Sequence, residues 1–221
     1  MIKVVLFDLD DTLFPEEEYV KSGFHYVAKV VEKAYCCAQE KVYQQLWKEY
    51  QKSSSYVFNR VLEYFDISAD AVPALVEAYR MHKPTIQYYD DVLPCLMELK
   101  AKDVCLGIIT DGYASAQKNK LQALEADSYF DKIIVTDDLG KDYWKPHPKA
   151  FEMMKDYFDV DYSEMAYVGD NPKKDFYIGK IFPITTVRMM RDKGVYQESS
   201  YLENVKENVR ITDMRELCSM F

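Results

Sequence analysis

Residues 3–12 read KVVLFDLDDT, a β-branched and apolar run that ends in three acids. Such a run is typical of a buried central strand in a parallel sheet. Its polar end is informative, because ligands of open α/β sheets bind outside the carboxyl ends of the strands. Asp8 and Asp10 are two residues apart, so their side chains point the same way in an extended chain. Two carboxylates this close repel each other unless a cation or a shared proton lies between them, and Mg²⁺ prefers such oxygen ligands.

Strand and helix patterns alternate in the second half of the chain. Helical patterns over residues 91–101, 114–124 and 147–158, with a short one after Pro172, separate the predicted strands. These strands are VCLGIIT (104–110), KIIVT (132–136), MAYVG (165–169) and ITTVR (184–188), and a strand-like VRIT precedes Asp213. This alternation implies right-handed βαβ crossovers. We therefore expect an α/β fold with a doubly wound, mainly parallel, Rossmann-like sheet.

The segment between Pro15 and Tyr89 has a different character. Apolar residues such as Val20, Phe24 and Val27 recur at helical spacing, and the same pattern continues to Tyr79 without a convincing strand. An all-helical block of about 75 residues after the first strand indicates a second small domain. The predicted boundaries are residues 1–14 and 90–221 for the α/β domain and residues 15–89 for the helical one.

Polar residues also follow three later predicted strands. Thr110 ends the second strand and Gly112 follows at a turn, an arrangement suited to binding an anion. Lys145 comes after the third strand, and the proline that follows it restricts its backbone. Asp170 and Asp175 come after the fourth. Each feature alone is weakly informative, but together they predict one site at the edge of the sheet.

With these residues the chain resembles the haloacid dehalogenase (HAD) superfamily, whose members are mostly phosphatases with an aspartate nucleophile. The first motif of that superfamily, DxDxT, matches residues 8–12, and Thr110 and Lys145 match the second and third. Asp170 and Asp175 match the acid pair of the fourth motif. The inserted helices resemble the small helical cap of one subfamily. Two positions depart from the commonest pattern, where many relatives have Gly at position 11 and Asn at position 111.

The resemblance implies a role for each matched residue. Asp8 would be the nucleophile that forms an aspartyl-phosphate, and Asp10 would be the general acid and then the general base. Mg²⁺ would be held by Asp8, the backbone carbonyl of Asp10 and Asp170, with Asp175 a ligand directly or through water. The substrate phosphate would be bound by three consecutive residues and one lysine: Thr110, Asp111, Gly112 and Lys145.

The function expected from this resemblance is a Mg²⁺-dependent phosphatase acting on a small phosphorylated metabolite, such as a nucleotide or a sugar phosphate. A phosphomutase of the β-phosphoglucomutase type shares all the motifs and stays an alternative. A 2-haloacid dehalogenase is disfavoured, since its reaction has no use for Asp10 or the metal acids. A response-regulator receiver is disfavoured because receivers are about half as long, and a catalytically silent protein because the motifs are intact. Residues 16–19 are candidates for contact with the substrate.

Composition excludes several other classes. The 221 residues carry 28 Lys and Arg against 37 Asp and Glu, so the formal net charge of −9 argues against nucleic acid and anionic membranes as partners. No apolar run is long enough to cross a bilayer, and the first residues do not resemble a signal peptide, so we expect a cytoplasmic protein, monomeric or homodimeric. The three histidines are scattered, which argues against a zinc site, and no GxGxxG or P-loop pattern occurs.

Overall fold

The protein is described by a computed structural model that covers residues 1–192 and 194–221. The strands are β1 (Val4–Phe7), β2 (Cys105–Thr110), β3 (Lys132–Val135), β4 (Met165–Gly169), β5 (Thr185–Met189) and β6 (Val209–Ile211). The helices are α1 (Glu16–Tyr35), α2 (Gln39–Lys52), α3 (Val57–Tyr64), α4 (Val72–Met81), α5 (Val92–Ala101), α6 (Ala114–Ala123), α7 (Lys149–Phe158), α8 (Ile178–Ile181) and α9 (Glu216–Met220). None of the helices in these described ranges is both long and apolar enough to cross a membrane.

The six strands form one sheet in the order β3-β2-β1-β4-β5-β6, and every neighbouring pair is parallel. This arrangement confirms the predicted doubly wound α/β fold. The first strand lies in the middle of the sheet, where all four of its residues are completely buried. Its last residue, Phe7, is paired with Ile108 of β2 and Val168 of β4. The residues that follow these three strands therefore emerge side by side at one edge.

Contacts divide the chain into two compact units, residues 1–16 with 87–221 and residues 17–86. The first unit contains the sheet, and its core joins strand residues such as Leu6 and Tyr167 to Phe151 and Met154 of α7. Burying each of these side chains contributes about 1.5–3 kcal/mol to the free energy of folding.

The second unit is helical, and no strand lies within residues 17–86. The apolar residues of α1 that recur at helical spacing, Val20, Phe24, Val27 and Val31, are all buried in its core with Val42 and Leu46 of α2. The assignment of residues 15–89 to a cap domain stays a prediction.

Candidate active site

A cavity of about 320 Å³ lies at the carboxyl edge of the sheet, within the first unit. This volume is at the lower end of the range for small-molecule sites, which suits a compact metabolite. Six of the eight predicted site residues line it: Asp8, Asp10, Asp111, Gly112, Lys145 and Asp170. The other lining residues are Asp11, Glu16, Trp144, Asn171, Lys174 and Tyr196. Thr110 and Asp175 are completely buried behind the lining.

Asp8 follows β1 and is held in place by its neighbours. Its backbone N–H donates to the carbonyl of Val168 at 2.8 Å, and its carboxylate Oδ1 accepts from Lys145 Nζ at 2.5 Å. Burial raises the pKa of Asp8 to about 6, since the nearby Lys145 only partly offsets the loss of water and Asp175 adds repulsion. At neutral pH the carboxylate is therefore mostly ionised and available as a nucleophile.

Lys145 has a completely buried side chain with three polar partners. Its ammonium donates to Asp8 and to the hydroxyl of Tyr167 at 2.6 Å, and it lies 3.0 Å from Asp175 Oδ1. Burial lowers the pKa of Lys145, but the carboxylates of Asp175 and Asp8 outweigh burial and hold the pKa above its ordinary value. The group stays a cation throughout the neutral range, where it compensates the buried acids.

Asp175 accepts hydrogen bonds on both carboxylate oxygens. Oδ1 accepts from the Tyr167 hydroxyl at 3.2 Å and forms an ion pair with Lys145, and Oδ2 accepts from the backbone N–H of Asn171 at 2.9 Å. A Cβ at Gly169 would lie 2.6 Å from Oδ2, so glycine is needed for this close approach. Asp175 thus orients Lys145, and its contribution as a metal ligand stays a prediction.

Three buried acids form a cluster suited to a cation. Asp8, Asp170 and Asp175 each offer a carboxylate oxygen, and these atoms lie within 4.8 Å of one another. Asp170 Oδ2 is buried and accepts no hydrogen bond from the described residues. Burial, followed by repulsion from Asp175 and Asp8, raises the pKa of Asp170 well above its ordinary value. A set of oxygen donors with one unused buried oxygen fits a hard divalent cation.

Asp111 and Gly112 form the turn after β2. The Asp111 carboxylate accepts from the Thr136 hydroxyl at 2.7 Å, the backbone N–H of Lys145 at 3.0 Å and Lys174 Nζ at 3.1 Å. Burial opposes ionisation, yet Lys145 and Lys174 together hold the pKa of Asp111 below its ordinary value. A phosphate contact at Asp111 would therefore use its backbone N–H. Gly112 has φ of +127°, in the left-handed region that favours glycine.

Asp11 stands where many proteins with the first motif have glycine, and the backbone conformation at this position explains why either residue can occupy it. Its φ is +53°, a conformation that aspartate tolerates better than most side chains. Its carboxylate accepts from the backbone N–H groups of Glu16 at 2.9 Å and Val195 at 3.3 Å. The aspartate thus joins the first residue of α1 and the turn at Val195 to the cavity wall.

Glu16 was predicted among the substrate contacts, and it does line the cavity. Burial first, and then the neighbouring Asp10 carboxylate, raise its pKa to about 7 against the opposing effect of Lys120. The other three candidates, residues 17–19, belong to the helical unit.

Comparison with known proteins agrees with this geometry. A family model described as haloacid dehalogenase-like hydrolase matches residues 5–189. The chain belongs to this family. Among curated relatives, this HAD-like hydrolase is 32% identical to a glyceraldehyde 3-phosphate phosphatase from Methanopyrus kandleri over 209 residues, which cover 90% of this chain and 87% of the relative.

Two solved structures show how widely the fold is shared. A HAD phosphatase from Thermococcus onnurineus matches with a TM-score of 0.65 and 26% identity, covering 99% of this chain and 97% of the other. The L-2-haloacid dehalogenase from Xanthobacter autotrophicus matches with a TM-score of 0.62 over 100% and 98% of the two chains, but with 19% identity. The second likeness concerns the fold alone.

The HAD-like site also contains polar residues that the sequence analysis missed. Tyr167 and Lys174 contact Lys145 and Asp111, as described above. Gln117 and Lys120 contact Asp10, and both are buried on α6. Lys174 lies in the stretch NPKKD beside a motif acid, which was a usable signal. The i, i+3 spacing of Gln117 and Lys120 just after a strand end was another.

Proposed function

We propose that this chain is a Mg²⁺-dependent phosphatase that hydrolyses a small phosphomonoester through an aspartyl-phosphate on Asp8. The observation that carries the proposal is the position of the Asp8 carboxylate, which lines the cavity 2.5 Å from the Lys145 ammonium and beside the two other buried acids. The family relation to a curated phosphatase supports the same chemistry. A cytoplasmic location and a monomeric or homodimeric state stay predictions.

The proposed reaction has two steps at Asp8. A carboxylate oxygen of Asp8 forms a bond to phosphorus while the ester bond to the alcohol breaks, and Asp10 gives its proton to the leaving oxygen. Asp10 then takes a proton from water as that water attacks the phosphorus, which breaks the bond to Asp8. Lys145 and the backbone N–H groups of Asp111 and Gly112 hold the phosphate oxygens, because positioning and charge dominate phosphoryl transfer.

Mg²⁺ would be held by Asp8, Asp170 and the backbone carbonyl of Asp10, with Asp175 beside them. When bound, this ion offsets the repulsion between the phosphate and the acids of the site. The unused Oδ2 of Asp170 is the feature of the chain that favours it.

The substrate is proposed to be a phosphorylated metabolite small enough for the cavity of about 320 Å³. Glyceraldehyde 3-phosphate, the substrate in the name of the Methanopyrus kandleri relative, is the first compound to test. A screen of phosphate release over phosphorylated metabolites would extend the test. Assaying isomerisation of hexose phosphates in parallel distinguishes the phosphatase from the phosphomutase alternative.

Replacing Asp8 with Asn tests the covalent role. We expect phosphate release to fall by at least about 10³-fold, since the nucleophile is lost and the volume of the side chain is kept. The matched control is Asp138→Asn, because Asp138 is 46% exposed and pairs only on the surface with Lys118. Wild-type rates in Asp8→Asn would refute the proposal, as would full activity after complete removal of divalent metal.

A further inference from the structure

Asp10 has a protein donor on each of its carboxylate oxygens. Lys120 Nζ donates to Oδ1 at 2.6 Å, and Gln117 Nε2 donates to Oδ2 at 2.9 Å. Asp10 lines the cavity, whereas Gln117 and Lys120 are not among the residues that line it. Any influence of these two side chains on a bound substrate is therefore indirect, through the residues that they contact, and Asp10 is the one of these that both contact.

Gln117 connects Asp10 to a second motif residue. Its amide nitrogen also donates to the hydroxyl of Thr110 at 2.5 Å. This pair of bonds determines which way the amide faces, because the amide oxygen cannot donate to the carboxylate of Asp10. One side chain thus connects the first and second motifs, which follow paired strands.

The elements that present these donors are firmly anchored. Helix α6 begins four residues after β2, and its first N–H, at Ala114, donates to Asp137 Oδ2 at 2.9 Å. Gln117 and Lys120 are one helical turn apart and are 1% and 5% exposed. The Lys120 ammonium also lies 5.9 Å from the centre of the Phe14 ring. A buried ammonium and a buried amide that meet one carboxylate limit the rotamers open to it.

We propose that Gln117 and Lys120 are positioning residues that hold the Asp10 carboxyl group in place to deliver a proton to the leaving oxygen. This inference rests on the proposed function. A displaced Asp10 would leave the attack of Asp8 on phosphorus intact, but the departing alkoxide would have no nearby acid. The consequence depends on the leaving group, because an alkoxide needs the proton and a 4-nitrophenolate leaves without it.

The test compares kcat/KM for two phosphate esters, since this constant covers the chemistry up to departure of the alcohol. One ester is 4-nitrophenyl phosphate, and the other is the alkyl phosphate on which the wild type is most active. For Gln117→Leu and Lys120→Met, we expect a loss of about 10²–10³-fold with the alkyl ester and less than about tenfold with the aryl ester. The ratio of the two constants is independent of the fraction of folded enzyme.

Two further variants calibrate that ratio. Asp10→Asn removes the acid itself, so it should lower the ratio of kcat/KM for the alkyl ester to kcat/KM for the aryl ester at least as much as the Gln117 and Lys120 variants do. Lys174→Met removes a lysine that lines the same cavity but contacts Asp111 rather than Asp10, so it should lower both constants alike. If Gln117→Leu or Lys120→Met does not fold, Gln117→Asn keeps the amide, shortens its reach by one methylene, and is expected to show the same selective loss.

The outcomes separate this inference from the function on which it rests. A selective loss with the alkyl ester in the Gln117 and Lys120 variants supports it. Equal losses with both esters, or no loss, overturn it when Asp10→Asn does show the selective loss. If Asp10→Asn also shows none, Asp10 is not the acid, and the proposed mechanism fails together with the inference.

Discussion

Replacing Tyr167 with Phe would remove one hydroxyl from the most deeply buried part of the site. Tyr167 lies on β4 and is completely buried. Its hydroxyl accepts from Lys145 Nζ at 2.6 Å and donates to Asp175 Oδ1 at 3.2 Å. Phenylalanine keeps the ring and its edge-to-face contact with Phe151, at 4.9 Å between the ring centres. The substitution therefore tests the hydrogen bonds with little change in packing.

The expected magnitude follows from the charge of the partners. Hydrogen bonds to charged groups contribute about 1.5–3 kcal/mol, more than bonds between neutral groups. Lys145 and Asp175 remain 3.0 Å apart without the hydroxyl, so neither charge is left alone. We therefore expect the free energy of unfolding to fall by about 1.5–3 kcal/mol, the value of one such bond. For a protein of this size, that loss lowers the melting temperature by about 3–12 °C.

The measurement has to follow the unit that contains the sheet. The protein has two tryptophans, Trp47 in the helical unit and Trp144 in the other. In a Trp47→Phe background, fluorescence during urea unfolding reports the environment of Trp144 alone. The matched control is Tyr157→Phe, because Tyr157 is 54% exposed and its hydroxyl donates to a neutral backbone carbonyl at 3.1 Å. That change should stay within about 0.5 kcal/mol. Equal effects of the two substitutions would contradict the reasoning.

Three other measurements probe separate groups. Lys174→Met should lower kcat/KM for 4-nitrophenyl phosphate by about 10–100-fold and weaken inhibition by inorganic phosphate, because a cation of the cavity is lost; unchanged inhibition would count against it. Mg²⁺ at 100 times its Kd should raise the free energy of unfolding by about 2.7 kcal/mol, and Asp170→Ala should abolish that increase in a thermal-shift assay. Glu49 accepts from Lys52 and Arg60, and chiefly the Lys52 bond holds its pKa below the ordinary value of 4.5. The ionised Glu49 therefore stabilises the folded protein above pH 4.5, and this stabilisation is lost as the pH falls through the lower pKa of the folded state. Glu49→Gln should lower the free energy of unfolding of the helical unit at pH 7 and lower it progressively less in acid. A difference from wild type that is independent of pH would refute this.

Strands and helices were predictable here because local patterns and tertiary burial agree. Residues 165–169 were predicted as a strand and form β4, and residues 114–124 were predicted as a helix and form α6 with its end at Ala123. All five residues of β4 are buried, and in the helical segment Ala116, Leu121 and Leu124 are buried together with the polar Gln117 and Lys120. After Pro172 the prediction was less accurate, because turns hold the chain until α8 begins at Ile178.

Cavity-lining residues were predictable wherever they follow a strand directly. Asp8, Gly112 and Asp170 are examples, since parallel strands bring their carboxyl ends to one edge of the sheet. Residues that act from within an element were missed. Tyr167 sits inside a buried strand, where a tyrosine is indistinguishable from any other core residue, and its hydroxyl reveals its role only through contacts with distant residues. Sequence patterns indicated the element in which a residue lies, but they did not indicate the direction in which its side chain points.

The pairing of charged side chains is the clearest example of a feature that the sequence patterns did not determine. Two carboxylates only two residues apart were expected to need a cation or a shared proton between them. In the structure each contacts a different ammonium, Lys145 at Asp8 and Lys120 at Asp10. Asp8 thereby joins the acid cluster with Asp170, while Asp10 is kept outside it. In the proposed mechanism Asp8 attacks phosphorus and Asp10 transfers a proton, and contacts with two separate lysines give different surroundings to these carboxylates, which are neighbours in sequence.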